Sequence, residues 1–168
     1  MQRRARGFTL VELLMVLAII GILAAIAIPN LLTALSKAKQ KRTLLDMKTI
    51  AVAWEARATD SNRYNAAGGV DGVSVPLAIS SLAAALEPTY SKSIPKRDGW
   101  GKAFTCFIDE DWGGTSPASR YVIVSGGSDG VISATPSSGP FSSFDCDIIY
   151  SNGQFISYPE GTQVNAKP

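Results

Sequence analysis

The chain begins with a short basic stretch and then an apolar run over residues 8–28, in which Glu12 is the only charged residue. A helix over this run is about 30 Å long, which matches the hydrocarbon core of a bilayer. The run lacks the polar stripe that a helix in a soluble core keeps. The pattern predicts a membrane-spanning helix, inside which a carboxylate costs free energy unless a partner offsets its charge.

Beyond Pro29 the pattern becomes amphipathic, with apolar side chains at steps of three and four residues, namely Leu44, Met47, Ile50, Ala51, Trp54 and Ala58. This spacing predicts a helix with one buried face. We therefore expect one long helix that leaves the bilayer after residue 29 and continues over residues 30–60 into a soluble domain. A kink is expected at Pro29, because proline has no backbone N–H to donate.

The remaining residues, 61–168, alternate Gly- and Ser-rich loops with short apolar runs. Residues 77–90 predict a short helix ended by Pro88, and residues 103–108 predict a strand. The stretch "RYVIVSGGSDGVIS" predicts a hairpin, and "FDCDIIYSNGQFISY" predicts another that turns at Asn152-Gly153. The expected fold class is α+β, with the long helix packed on a small antiparallel sheet.

The distribution of charge limits the choice of partners. Basic residues flank the apolar run, where they suit anionic lipid headgroups: Arg3, Arg4 and Arg6 before it, and Lys37, Lys39, Lys41 and Arg42 after it. From residue 61 onward, seven Lys and Arg face ten Asp and Glu. A nucleic-acid-binding domain would carry a basic surface there, so no nucleic acid is expected as a partner.

The side-chain inventory argues against catalysis. The chain has no histidine, which removes Ser-His-Asp and Cys-His chemistry, and its two cysteines are too few for a typical zinc site. No pair of carboxylates stands out as acid and base, so we expect that the protein is not an enzyme. If the C-terminal half is exported, a disulfide between Cys106 and Cys146 is expected, worth about 3–4 kcal/mol by chain entropy. Two buried thiols are the alternative.

A conventional signal peptide is a competing interpretation of the N-terminus, because Ala25-Ile26-Ala27 resembles a cleavage site. The protein would then be a secreted soluble binding module that begins near Ile28. This interpretation gives no reason for Glu12. The basic residues on the two sides of the run nearly balance, so the positive-inside rule does not orient the helix. The cysteine pair favours a C-terminal half outside the cytoplasm.

The stretch "RGFTLVELLMVLAIIGILAAIAIP" resembles the N-terminus of type IV pilins and of the pseudopilins of type II secretion, through its basic leader, Gly7, Phe8 and Glu12. The resemblance implies a leader over residues 1–7, which a prepilin peptidase removes between Gly7 and Phe8. It also implies N-methylation of Phe8 and polymerisation into a helical filament of identical subunits, with the apolar helices in the centre.

The resemblance also implies a partner for Glu12. In this family the corresponding glutamate pairs with the new amine, here that of Phe8, on a neighbouring subunit, so that two charges costly in an apolar medium offset one another. An intramolecular pair is the alternative, because residues four apart on a helix can meet. Implied partners are membrane lipid before assembly, an inner-membrane assembly platform with its ATPase, and minor pilins or pseudopilins.

The C-terminal half resembles the major pseudopilin of type II secretion more than a generic pilin. The matching residues are Pro95, Asp98, Trp100-Gly101, "GSDG" at 127–130 and "DCDI" at 145–148. Gly99 departs from the family pattern, which has proline there. The resemblance implies calcium bound by Asp129, Asp145 and Asp147, with carbonyl groups near Ser125, whereas a plain turn with surface carboxylates is the alternative.

The function that these resemblances imply is structural. The chain would be a single-pass subunit of the bacterial inner membrane, with its C-terminal domain in the periplasm. It would polymerise into a type II secretion pseudopilus that helps to move proteins across the outer membrane. The alternative within the superfamily is a type IV pilus subunit for adhesion, motility or DNA uptake.

Overall fold

The structure is a computed structural model that describes residues 7–61, 75–109, 120–133 and 138–164. Its main element is a single helix, α1 (Leu10–Ser61), which continues through Pro29. The chain divides into two compact units, residues 1–35 and residues 36–168, with the division inside α1. The predicted continuous helix is confirmed, although it begins at Leu10 rather than at residue 8. The kink at Pro29 stays a prediction.

In the first unit the apolar side chains of α1 are exposed, including Leu10 at 74% and Ile22 at 64%. The helix is long and apolar enough to cross a membrane. Its most apolar stretch of 18 residues has a mean hydropathy of 2.8 and is not buried. Near Pro29, the side chain of Asn30 donates a 3.1 Å hydrogen bond to the Ile26 carbonyl, and Thr33 donates a 3.0 Å bond to the Pro29 carbonyl. These polar side chains are thus satisfied by their own helix.

In the second unit α1 buries one face, as its periodicity predicts. Met47, Ile50 and Ala51 are fully buried, and Trp54 and Ala58 are nearly so. The ring of Trp54 lies 4.6 Å from that of Tyr121, centroid to centroid. The Tyr121 hydroxyl donates a 2.6 Å hydrogen bond to Glu55, which ties the helix to the sheet at the edge of this apolar contact.

The helix packs with a sheet of six strands: β1 (Val75–Leu77), β2 (Thr105–Ile108), β3 (Tyr121–Ser125), β4 (Gly139–Ser143), β5 (Ile148–Ser151) and β6 (Gln154–Val164). Their order across the sheet is β1-β2-β3-β5-β6-β4. A second helix, α2 (Ile79–Leu86), follows β1 and buries Leu82, Ala83 and Leu86. It ends before Pro88, as predicted. It is shorter than residues 77–90, because Leu77 belongs to β1 and residues 87–90 form a turn.

The α+β class is confirmed, but the sheet is mixed rather than antiparallel. Strands β4 and β6 are parallel, whereas the other neighbouring pairs are antiparallel. The reason lies in the path of the chain, which reverses direction between β4 and β5 and again between β5 and β6. Strands β4 and β6 therefore run the same way, and β6 lies between β4 and β5.

Of the two predicted hairpins, the second is confirmed and the first is wrong. Strands β5 and β6 are joined by Asn152 and Gly153, whose φ angles of 43° and 91° suit a two-residue hairpin turn. Strand β3 instead pairs with β2 and β5, and residues 131–133 form no strand. The Gly-rich turn after β3 does not lead into a paired strand. It contacts the segment between β4 and β5 instead, where Ser128 N–H donates a 2.8 Å bond to the Phe144 carbonyl.

Candidate functional site

The start of α1 is a reciprocal hydrogen-bonded cap formed by Thr9 and Glu12. The Glu12 carboxylate accepts one 2.9 Å bond from the Thr9 backbone N–H and another 2.9 Å bond from the Thr9 hydroxyl. The Glu12 backbone N–H donates a 3.2 Å bond back to the Thr9 hydroxyl oxygen. This is a capping box, in which each residue satisfies donors that the first helical turn leaves open. Thr9 was missed as a functional residue in the sequence, although Thr-x-x-Glu is the signal for this motif.

The predicted cleavage point lies just before this cap. Gly7 and Phe8 precede the first helical residue, and Phe8 is 72% exposed. A Cβ added at Gly7 would meet none of the described residues within 4 Å. Residues 1–6 of the predicted leader lie outside the described residues. A cut at this point would create an amine four residues before Glu12.

A buried carboxylate organises the loop that leads into β2. Asp98 is 3% exposed and accepts hydrogen bonds from the backbone N–H groups of Trp100 and Lys102, at 2.9 and 2.8 Å, and from the Ser125 hydroxyl at 2.7 Å. These bonds close the loop and attach it to the end of β3. Asp98 and Trp100 are among the residues that resemble the major pseudopilin, and the structure gives Asp98 a structural role.

The same loop is attached to α1 through Gly99. Its backbone N–H donates a 2.9 Å bond to the Thr43 hydroxyl, which in turn donates a 3.0 Å bond to the Lys39 carbonyl. A Cβ at Gly99 would lie 2.8 Å from the Lys39 carbonyl carbon, closer than real side chains approach. The departure from proline at this position therefore has a local reason, because proline would lose the donated bond and add atoms against the helix.

The three aspartates predicted to bind calcium lie on neighbouring loops but form no metal cluster. Asp129 is exposed and accepts a 2.9 Å bond from Val131 N–H, and Asp145 is half-buried. Asp147 is 6% exposed, and its Oδ2 accepts a 2.8 Å bond from Ser133 N–H. In residues 7–61, 75–109, 120–133 and 138–164, no three His, Cys, Asp or Glu side chains are grouped to hold a metal.

The fit to calcium is therefore partial. Calcium takes six to eight oxygen ligands, and the three carboxylates as arranged do not supply such a shell. Asp147 Oδ1 is buried and has no hydrogen-bond partner among the residues that the structure describes. The unsatisfied oxygen of Asp147 is the feature that a cation bound near this loop would satisfy.

The structure has no bond between Cys106 and Cys146, for which a disulfide was predicted. Cys106 lies on β2 opposite Ile123, and Ile123 lies opposite Tyr150 on β5. Cys146 lies outside β5, in the turn that precedes this strand, and is half-buried. Burial raises the pKa of the Cys106 thiol to about 12, which makes it unreactive.

Comparison with known proteins agrees with the motif at the start of the chain. The family described as "Prokaryotic N-terminal methylation motif" matches residues 2–28. Type II secretion system core protein G of Aeromonas hydrophila is 34% identical over 105 residues, which cover 61% of this chain and 73% of that protein. The core protein G of Escherichia coli (strain K12) is 29% identical over 129 residues, 76% of this chain and 84% of that protein.

A pilin also matches, over a shorter stretch. Type IV major pilin protein PilA of Myxococcus xanthus (strain DK1622) is 45% identical over 62 residues, which cover 37% of this chain and 28% of that protein. No solved structure matches the chain. The exposed apolar helix, the methylation motif around Phe8 and the likeness to core protein G over most of its length lead to one assignment. The chain belongs to the family of type IV pilins and type II secretion pseudopilins that includes core protein G.

Proposed function

We propose that this protein is the subunit of a type II secretion pseudopilus, a filament that helps to move proteins across the outer membrane. The observation that carries the proposal is the extent of the likeness to core protein G, which covers 73% of the Aeromonas hydrophila protein. The matched part of PilA is only 28% of that pilin. Likeness that extends well beyond the N-terminal helix favours a pseudopilin over a pilin.

The exposed surface of α1 supports polymerisation on physical grounds. Side chains such as Leu14, Leu23 and Leu31 are more than half exposed, and burying apolar surface is favourable by about 25 cal/mol per Å². Lipid would cover this surface in the inserted subunit, and the helices of other copies would cover it in the filament. The likeness to structural proteins, together with this surface, supports a role without catalysis.

Glu12 would link processing to assembly. The cap bonds from Thr9 occupy part of the acceptor capacity of the carboxylate, which has about four lone-pair sites. After cleavage, the Phe8 amine of a neighbouring subunit would pair with the remaining capacity. An ion pair in an apolar medium offsets the cost of desolvation only when its geometry is good. It would therefore fix the offset of neighbouring subunits along the filament axis.

The same proposal covers location and further partners. The subunit would be processed by prepilin peptidase, with residues 8–29 in the inner membrane and the rest of α1, together with residues 61–168, in the periplasm. An assembly platform with its ATPase would extract it from the membrane into the growing filament, and minor pseudopilins would join the same fibre. The single apolar helix supports the membrane anchor, and the direction of insertion is part of the proposal.

The decisive experiment is the intact mass of the protein from a host that contains prepilin peptidase. We expect a chain that begins at Phe8 with one added methyl group. A chain that begins near Ile28 would show that the preceding residues are a discarded signal peptide. Glu12 would then be absent from the mature protein, and the proposed filament would be wrong. The matched control is Gly7→Val, which should keep the leader because a side chain at this position obstructs the protease.

The second candidate, a type IV pilus subunit, is favoured by the 45% identity to PilA. Gene deletion in the native host separates the two functions. Loss of an exported protein from the culture medium supports the pseudopilus. Loss of long surface fibres at native expression, with secretion intact, supports the pilus.

We also propose that calcium binds beside Asp147 and stabilises the loop that contains Asp129. The support is the unsatisfied Asp147 Oδ1. Calcium should raise the melting temperature of the wild-type chain, and Asp147→Asn, which still accepts a bond from Ser133, should abolish the rise. Glu160→Gln, on the exposed part of β6, should keep it. A wild-type melting temperature that does not respond to calcium would disprove the site.

A further inference from the structure

A groove between α1 and β6 carries two lysines on its rim. Its volume is about 330 Å³, and Lys37 and Lys41, one helical turn apart, line it on the α1 side. Both lysines are exposed. On the opposite side the groove is lined by Gly161, where a positive φ of 69° marks a bend in the strand. The rim therefore presents two ammonium groups over one concave surface.

The floor of the groove is polar and fixed in place. Gln40 and Gln163 are 4% and 6% exposed, and Gln40 Nε2 donates a 3.2 Å bond to Gln163 Oε1. Gln163 Nε2 in turn donates to the carbonyls of Phe141 and Glu160, at 3.0 and 2.9 Å. These bonds satisfy the buried amides and fix their orientation at the floor of the groove. The half-buried Leu44 adds an apolar part to the lining.

The position of the lysines along α1 relates the groove to the bilayer surface. The exposed apolar side chains of the first unit continue to Leu35, and Lys37 and Lys41 follow it by two and six residues in the same helix. At 1.5 Å per residue these positions lie about 3 and 9 Å past Leu35 along the helix. The headgroup layer is about 5–8 Å thick on each side of the hydrocarbon, and a lysine side chain can extend toward it.

We propose that this groove binds the headgroup of an anionic phospholipid while the subunit is in the membrane. The ammonium groups of Lys37 and Lys41 pair with the phosphate oxygens, and the part of the headgroup beyond the phosphate enters the groove. The glycerol backbone and the acyl chains stay on the bilayer side, toward Leu35. Lys39 belongs to the same basic cluster but does not line the groove, so it takes no part in this contact. The site does not depend on the filament, because it acts before assembly.

The test uses the full processed chain in nanodiscs that contain equal amounts of phosphatidylglycerol and phosphatidylcholine, followed by native mass spectrometry of the released protein. We expect the wild-type chain to retain phosphatidylglycerol preferentially, at one molecule per chain. Lys37→Gln combined with Lys41→Gln should lower this retention at least fivefold. Lys39→Gln is the matched control with the same chemistry in the same helix, and it should leave retention within twofold of the wild type.

Several outcomes would overturn the proposal. Equal losses for Lys39→Gln and for the groove variants would show diffuse attraction to an anionic surface. Displacement of the lipid by millimolar inorganic phosphate would show a site for free anions. Unchanged retention together with failed assembly of the double variant would show a contact between copies of this chain. The conservative pair Lys37→Arg and Lys41→Arg should restore retention, and a melting temperature for each variant verifies that it is folded.

Discussion

The hydroxyl of Thr9 donates a 2.9 Å hydrogen bond to the carboxylate of Glu12, and the backbone N–H of Thr9 donates a second bond of the same length. Both donors remain after cleavage before Phe8, because the Thr9 amide belongs to the bond that follows Phe8. The cap therefore serves the precursor and the mature chain alike. Glu12 caps the helix through its oxygen atoms, and under the proposed function it would also pair with an amine through its charge.

Glu12→Gln separates these roles, because glutamine keeps an accepting oxygen and loses the charge. We expect the variant to remain membrane-inserted while the yield of sheared filaments falls at least tenfold. Thr9→Val removes the hydroxyl and costs about 1 kcal/mol of helix capping, so it should reduce the yield less. Membrane and filament fractions are compared by immunoblot. Wild-type yield from Glu12→Gln would rule out pairing with the Phe8 amine.

Gly99→Ala tests the attachment of the 98–102 loop to α1. The added Cβ meets the backbone at Lys39, which cannot move without disturbing the helix, so we expect a loss of about 1–3 kcal/mol in the free energy of unfolding. Thermal melts of the full chain in detergent measure the change. Gly21→Ala is the control, since a Cβ at Gly21 meets nothing within 4 Å. Equal melting temperatures for both variants would contradict the tight packing at Gly99.

Asp46 should give a stability that decreases as pH rises. Burial raises the pKa of the Asp46 carboxyl, the ion pair with Arg42 at 3.4 Å lowers it in part, and the nearby Asp98 raises it further. A pKa above the unfolded value means that the folded state holds the proton more tightly. This stabilisation is complete below the unfolded pKa and is lost as pH rises through the folded pKa. Asp46→Asn should therefore raise the melting temperature at pH 7 and raise it less near pH 4.

Glu87 is the matched control, because its pKa is shifted in the opposite direction to that of Asp46. The 2.7 Å bond from Ile94 N–H holds the pKa of the Glu87 carboxyl below its usual value, with help from Lys96. Its stabilisation is present above the unfolded pKa and is lost as pH falls through the folded pKa. Glu87→Gln should thus lower the melting temperature at pH 7, with a smaller effect near pH 3. Parallel pH profiles for the two variants would contradict both assignments.

The thiols can be counted directly. Protein taken from an oxidising compartment, denatured without reductant and treated with iodoacetamide should gain two carbamidomethyl groups. In the native protein at pH 8, Cys106 should react far more slowly than Cys146, because it is fully buried and burial raises its pKa to about 12. Cys106→Ser assigns the labelled position. A denatured chain that takes up label only after reduction would show that Cys106 and Cys146 are joined by a disulfide.

The sequence pattern predicted the elements whose structure depends on residues close together in the chain. The three- and four-residue spacing of Met47, Ile50 and Trp54 defined the buried face of α1, because helical geometry alone brings those positions together. Asn152 and Gly153 marked the β5–β6 turn, since both tolerate positive φ. The cap of Thr9 and Glu12 has an equally local signal, the spacing Thr-x-x-Glu at the start of a helix.

What the sequence by itself determined was the membrane-length helix, its amphipathic continuation and the family motif around Phe8, because each depends on neighbours within a few residues. Only the tertiary structure decided the parallel pairing of β4 with β6, the absence of a bond between Cys106 and Cys146 and the contact of Gly99 with α1. These features depend on which distant segments become neighbours. Such pairings are set by the packing of the whole domain, and a local hydrophobic pattern does not specify them.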